Sequence, residues 1–113
     1  MTSQFYSLYT HDFIRIASCV PRTRVAGVFD NLAETLRLAQ QADKQKSAIA
    51  LFPELGLSAY AIEDLLFQDA LLDAVERAIN RLVEESRQLF SVLVVGAPLR
   101  HQGGLYNLSL IHI

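Results

Sequence analysis

Two short runs in this chain, "SAIALF" (47–52) and "SVLVVGAP" (91–98), are apolar without any polar–apolar alternation. A strand with one wet face alternates. A short unbroken apolar run fits a strand covered on both faces, as in a mostly parallel sheet layered with helices. The segments between the runs repeat at a helical period instead. Phe29, Leu32, Ala33, Leu36 and Ala39 predict a helix over about 30–46. Asp30 and Asn31 stand at its start, and Asn31 and Glu34 have capping-box spacing. Leu71, Leu72, Val75, Ala78, Ile79, Leu82 and Val83 predict a second helix over about 69–89. Its early Asp69 and Asp73 and late Arg81 and Arg87 complement the helix dipole.

Before the first helix, "FIRIASCV" (13–20) alternates, is rich in branched residues and stops at Pro21, so it reads as a strand. Residues 1–12 have no period and read as an arm. At the far end, Gly103 and Gly104 mark a turn, and "LYNLSLIHI" (105–113) reads as a last strand. Helical crossovers between buried strands imply an α/β sheet, with the strands of 13–19, 48–52 and 92–96 as neighbours and both helices on one face. The chain stops on an apolar strand. Intact domains avoid such an edge, so the sequence reads as a fragment.

Composition narrows the function. With 113 residues, 51% of them hydrophobic, and a formal net charge of −2, the chain has the makings of one core and no field to attract nucleic acid or an anionic membrane. No apolar run approaches the roughly 18 residues of a membrane helix, and the N-terminus lacks a signal-peptide core. One cysteine, Cys19, excludes an internal disulfide, and a cytoplasmic location is expected. His11 and His101 lack acidic or cysteine partners at ligand spacing, so no metal site is expected. There is neither a G-x-G-x-x-G nor a P-loop, and Gly56 and Gly96 read as close-packing or turn residues.

One carboxylate stands apart. Glu54 falls two residues past Phe52, where open α/β sheets place their ligands, beyond the carboxyl ends of the strands. Pro53 stiffens the turn, and Phe52, Leu55 and Leu57 are expected to wall the side chain. Desolvation favours the neutral acid and suits a general base. The alternative is a glutamate that caps a turn or pairs with an arginine at the surface.

"LFPELGLSAY" (51–60) resembles the first active-site segment of the nitrilase, or carbon–nitrogen hydrolase, superfamily. That resemblance implies a four-layer α/β/β/α sandwich and a Glu–Lys–Cys triad. With "HDFIRIASCVPRTRV", "AIEDLLFQDALLDAVERAI" and "VLVVGAPLRHQGGLYN", the chain from His11 to Asn107 resembles the N-terminal glutaminase domain of bacterial glutamine-dependent NAD synthetases. The expected fold is therefore a partial α/β/β/α sandwich, helices on one face of a mixed sheet, with residues 13–113 an incomplete glutaminase domain. Glu54 then matches the family's general base. Tyr60 falls at an aromatic wall of the glutamine pocket, or is a core tyrosine hydrogen-bonded at the loop base. The family's lysine and cysteine lie after the part this chain matches; Lys44 and Lys46 precede Glu54, and Cys19 reads as a small buried hydrophobe.

The resemblance further implies glutamine as substrate, a missing C-terminal synthetase domain holding ATP and magnesium, and a homo-oligomeric full-length protein. No cofactor is expected in these residues. "AIEDLLFQDALL" (61–72) reads as core rather than subunit interface. The final "LSLIHI" departs from the family pattern and reads as adapter or assembly read-through rather than native sequence, which would strip His112 of meaning. Two other readings stand beside this one: a piece of a stand-alone nitrilase-family amidase, and an inactive α/β module. The 113 residues alone are expected to lack glutaminase activity.

Overall fold

The computed structural model describes residues 4–112; the expected arm and last strand also include residues 1–3 and 113, which lie outside the described residues. Four strands form one sheet in the order β1 (Ile16–Ser18), β2 (Ile49–Leu51), β3 (Val92–His101) and β4 (Gly104–His112). β1, β2 and β3 run parallel, and β4 returns antiparallel to β3. The three predicted strands are thus neighbours, and the sheet is mixed. β1 is shorter than predicted, with Phe13 and Ile14 exposed ahead of it. The hairpin turn also sits one residue early. Gln102 (φ 48°) and Gly103 (φ 78°) are its centre, both left-handed as a two-residue hairpin of matching twist requires, and Gly104 already belongs to β4.

The two crossovers are α1 (Val28–Lys44) and α2 (Asp69–Ser86), which pack on each other and on one face of the sheet. α1 begins two residues before its predicted start, with Gly27 at the N-cap, so the proposed Asn31–Glu34 capping box does not form. Glu34 instead pairs with Arg37, and that hydrogen bond holds its carboxyl below the usual range. The buried stripe runs through Val28, Leu32, Thr35, Ala39 and Ala42, at helical spacing. Thr35 tolerates burial because its hydroxyl donates to the Asn31 carbonyl at 2.8 Å. Phe29 is left outside, 53% exposed, under the Arg77 guanidinium.

Ala17, Ala50, Leu93, Val95, Ala97 and Leu110 complete the core against the helices. Alternation and register put Ile16, Leu51, Val94 and Ile111 on the opposite face. There Leu51 is 46% and Ile111 66% exposed. Unbroken apolarity predicts burial on both faces. Within the described residues the helices cover one face, while the other is open at Leu51 and Ile111 and closed at Gly96, where the elbow after β2 sits, and at Pro98.

In the 61–72 segment a short 3-10 turn (Glu63–Phe67) leads into α2. Ile62 is fully buried and Leu65 and Leu66 partly so, in keeping with a core role, while Phe67 is exposed. The N-terminal stretch forms two 3-10 turns, Gln4–Tyr6 and Leu8–His11. It is fastened by the Tyr9 hydroxyl, which donates to the Lys46 carbonyl, and by the edge of Tyr9 against Phe90.

Candidate functional site

After Leu51 the chain leaves the sheet through an elbow. The Phe52 N–H continues the ladder by donating to the Val94 carbonyl at 2.9 Å. Pro53 has no N–H to continue it. Two tight turns follow, closed by the Gly56 N–H on the Pro53 carbonyl and the Ser58 N–H on the Leu55 carbonyl, each at 3.2 Å. Leu55 (φ 51°) and Ala59 (φ 70°) both adopt the left-handed region, which costs a non-glycine residue of order 1 kcal/mol or more. That cost is offset by packing. Leu57 is fully buried, a side chain worth about 1.5–3 kcal/mol on burial, and Leu55 is nearly so.

Two residues seat the elbow. At Gly96 on β3, a Cβ would stand 2.6 Å from both the Pro53 oxygen and the Leu55 nitrogen and 3.0 Å from the Glu54 carbonyl carbon. Only glycine lets the backbone of β3 pass so close, the role an isolated glycine inside a strand suggests. Asn31, buried at the start of α1, is the second. Its Oδ1 accepts from the Arg24 N–H at 2.7 Å, and its Nδ2 donates to the carbonyls of Arg24 (2.9 Å) and Leu57 (3.0 Å). The residue read as a helix cap is a staple between the entry to α1 and the elbow.

Glu54 stands at the tip, at the carboxyl end of β2, where the sequence placed it. Its surroundings differ from expectation. Phe52 and Leu57 turn into the core, Leu55 is buried beside Pro98, Tyr106 and Asn107, and Glu54 is exposed rather than walled by them. Its Oε1 accepts a hydrogen bond from Nδ2 of Asn107. Asn107 lies on β4 opposite Pro98, on the sheet face away from the helices, with Gly96 and Val94. Nothing local in the sequence announces this pair, since its members are 53 residues apart.

Tyr60, just past the elbow, is 71% exposed, so it is not a core tyrosine within the described residues; no hydrogen bond there joins it to Glu54. Lys44 and Lys46 sit at the amino end of β2, opposite to Glu54. Cys19 is buried in the core, and desolvation pushes its thiol up, away from the thiolate a nucleophile needs. His11 bonds the Phe5 carbonyl, His101 is exposed at the hairpin, and the His112 side chain lies outside what is described.

Toward the hairpin, Arg100 of β3 donates to both Asp69 and Asp73 of α2, tying the hairpin to the helix. The hydrogen bond to Asp73 is the main reason its guanidinium holds its proton more firmly than usual. What the site offers chemically is one braced carboxylate that can accept a proton. Among the described residues no three His, Cys, Asp or Glu side chains gather as a metal site, and no helix is long and apolar enough to cross a membrane.

No family model matches the chain. Over 107 residues, 95% of its length, it is 50% identical to the glutamine-dependent NAD(+) synthetase of Mycobacterium tuberculosis and 45% identical to that of Mycobacterium leprae. The stretch matched is 16% of those proteins. In three dimensions it resembles the glutamine-dependent NAD(+) synthetase of Cytophaga hutchinsonii, with a TM-score of 0.81 over 88% of this chain and 17% of that one, at 21% identity. The enzyme from Acinetobacter baumannii matches with a TM-score of 0.79 over 87% of this chain and 18% of that one, at 26% identity. By sequence along nearly its whole length the chain matches the glutamine-dependent NAD(+) synthetases, and it shares their fold there; it spans about a sixth of the length of those relatives.

Proposed function

We propose that this chain is part of the N-terminal glutaminase half of a glutamine-dependent NAD synthetase, and that Glu54 is its general base. One observation carries the reading: a carboxylate seated on a strained, tightly packed elbow at the carboxyl end of a parallel strand, within a sequence 50% identical to such synthetases. In this reading Glu54 takes the proton of a cysteine thiol supplied by a later part of the protein. The thiolate attacks the side-chain carboxamide of glutamine, and a lysine, also from a later part, stabilises the developing oxyanion. Ammonia leaves, and water then releases glutamate. Tyr60, exposed beside the elbow, forms an aromatic wall of the glutamine pocket. The open apolar face of the sheet is covered by the rest of the α/β/β/α sandwich.

ATP and magnesium belong to the synthetase domain that converts deamido-NAD to NAD. The residues of this chain do not fit them: it has no glycine-rich phosphate loop, and its described residues hold no cluster of metal ligands. A cytoplasmic homo-oligomer is the expected setting of the full-length protein.

The purified 113-residue chain, having neither the nucleophile nor the lysine, should release no ammonia from glutamine above the uncatalysed rate. Release that survived Cys19→Ser and vanished in Glu54→Ala would show that the chemistry has been misplaced.

A further inference from the structure

Resting on the reading of Glu54 as the general base, we propose that Asn107 is a positioning residue that fixes the orientation of that carboxylate. Three observations carry this. First, Glu54 is exposed at the tip of its elbow, and a free glutamate there has side-chain entropy to lose before it points one way. The Asn107 amide, donating to Oε1, selects one orientation and leaves Oε2 to receive a proton. Second, among the described residues Glu54 forms no ion pair, and Arg100 of β3 is engaged by Asp69 and Asp73. The hydrogen-bond partner of Glu54 is a neutral amide, which orients the carboxylate without setting a cation beside it. Third, asparagine is a poor strand residue, yet Asn107 sits between Tyr106 and Leu108 in the middle of β4. It faces the same side as Gly96, the residue that lets the elbow sit against β3. One strand pair thus seats the elbow and orients its carboxylate.

The test is a double-mutant cycle in the full-length synthetase carrying this stretch, with glutamine and then free ammonia as nitrogen source. Asn107→Ala should lower kcat for glutamine-dependent synthesis about 10–100-fold, the scale of a misplacement of about 1 Å. KM for glutamine should stay within about twofold, and the ammonia-dependent rate should not change. Asn107→Asp keeps the shape, removes the donor and should fall at least as far. Because Asn107 acts through Glu54, Asn107→Ala combined with Glu54→Gln should be no slower than Glu54→Gln alone. A multiplicative loss in the double variant, or a parallel loss of the ammonia-dependent rate, would make Asn107 a scaffold residue and overturn the proposal. Should Asn107→Ala fold poorly, Asn107→Asp reads the same cycle. If Glu54→Gln collapses the glutamine-dependent rate while both Asn107 variants retain it, this inference alone fails. If Glu54→Gln itself has no effect, the reading of Glu54 fails and this inference with it.

Discussion

Gly96→Ala should damage the site without touching any group that does chemistry. The added methyl carbon would stand 2.6 Å from the Pro53 oxygen and the Leu55 nitrogen, where ordinary contact begins near 3.4 Å. The obstacles are backbone atoms on both counts, so no side chain can swing away. Either β3 or the elbow must retreat by about 0.8 Å. The elbow is already strained at Leu55 and Ala59 and is anchored by buried Leu57, so it has little slack. Overpacking of this kind costs about 1–3 kcal/mol. With a urea m-value of roughly 1–3 kcal/mol/M, the midpoint should drop by about 1 M. The Leu57 N–H to Gly96 carbonyl bond, long already at 3.4 Å, should be lost. Urea melts followed by far-UV circular dichroism provide the assay. Gly103→Ala is a useful contrast, because a Cβ there meets nothing within 4 Å and only its φ of 78° is penalised. A Gly96→Ala midpoint indistinguishable from wild type would refute the packing argument.

Two further outcomes follow from the same structure. Asn31→Ala leaves the Arg24 N–H and the Leu57 carbonyl without their buried partner, and should cost about 2–4 kcal/mol in the same melts; a loss under 0.5 kcal/mol would mean the elbow does not depend on this staple. Cys19, buried with its thiol pushed up by desolvation, should react with iodoacetamide at least about tenfold more slowly in the native chain than in urea. The sign follows: the folded thiol keeps its proton where the unfolded one loses it. Its contribution to stability is therefore whole below the unfolded thiol's pKa and is lost as pH rises through the folded one.

Much of the architecture was legible because it rests on local periodicity. "SAIALF" and "SVLVVGAP" declared themselves strands by length and unbroken apolarity, and the two stripes at helical spacing supplied the crossovers. Gly96 reads as a close-packing or turn glycine, and the structure makes it the former. The errors came where distant residues decide the outcome. Asn31 has the composition of a cap, yet the entry loop and the elbow converge on it and take its side chain for themselves. Phe29 fits the helical stripe, but the face that packs against the core runs through Val28, Leu32, Thr35 and Ala39 and leaves it outside. Glu54 stands at the strand end as the sequence implies, but the turn geometry sends Phe52 and Leu57 into the core and buries Leu55 beside Asn107, so the flanking hydrophobes do not wall it. Asn107 carries no local signal, because only the pairing of β4 with β3 brings it to the carboxylate.

The central claim concerns a proton, so the decisive measurement alters the ability to accept one and little else. In the full-length synthetase, Glu54→Gln keeps the length and one acceptor of the side chain but cannot act as a base. Loss of a positioned general base costs on the order of 10²–10⁴ in rate. NAD synthesis measured with glutamine as the nitrogen source should fall by that factor, while synthesis from free ammonia by the same preparation should continue at the wild-type rate. Equal loss of both rates in a folded protein would make Glu54 a scaffold residue, and no loss in either would remove the carboxylate from the chemistry.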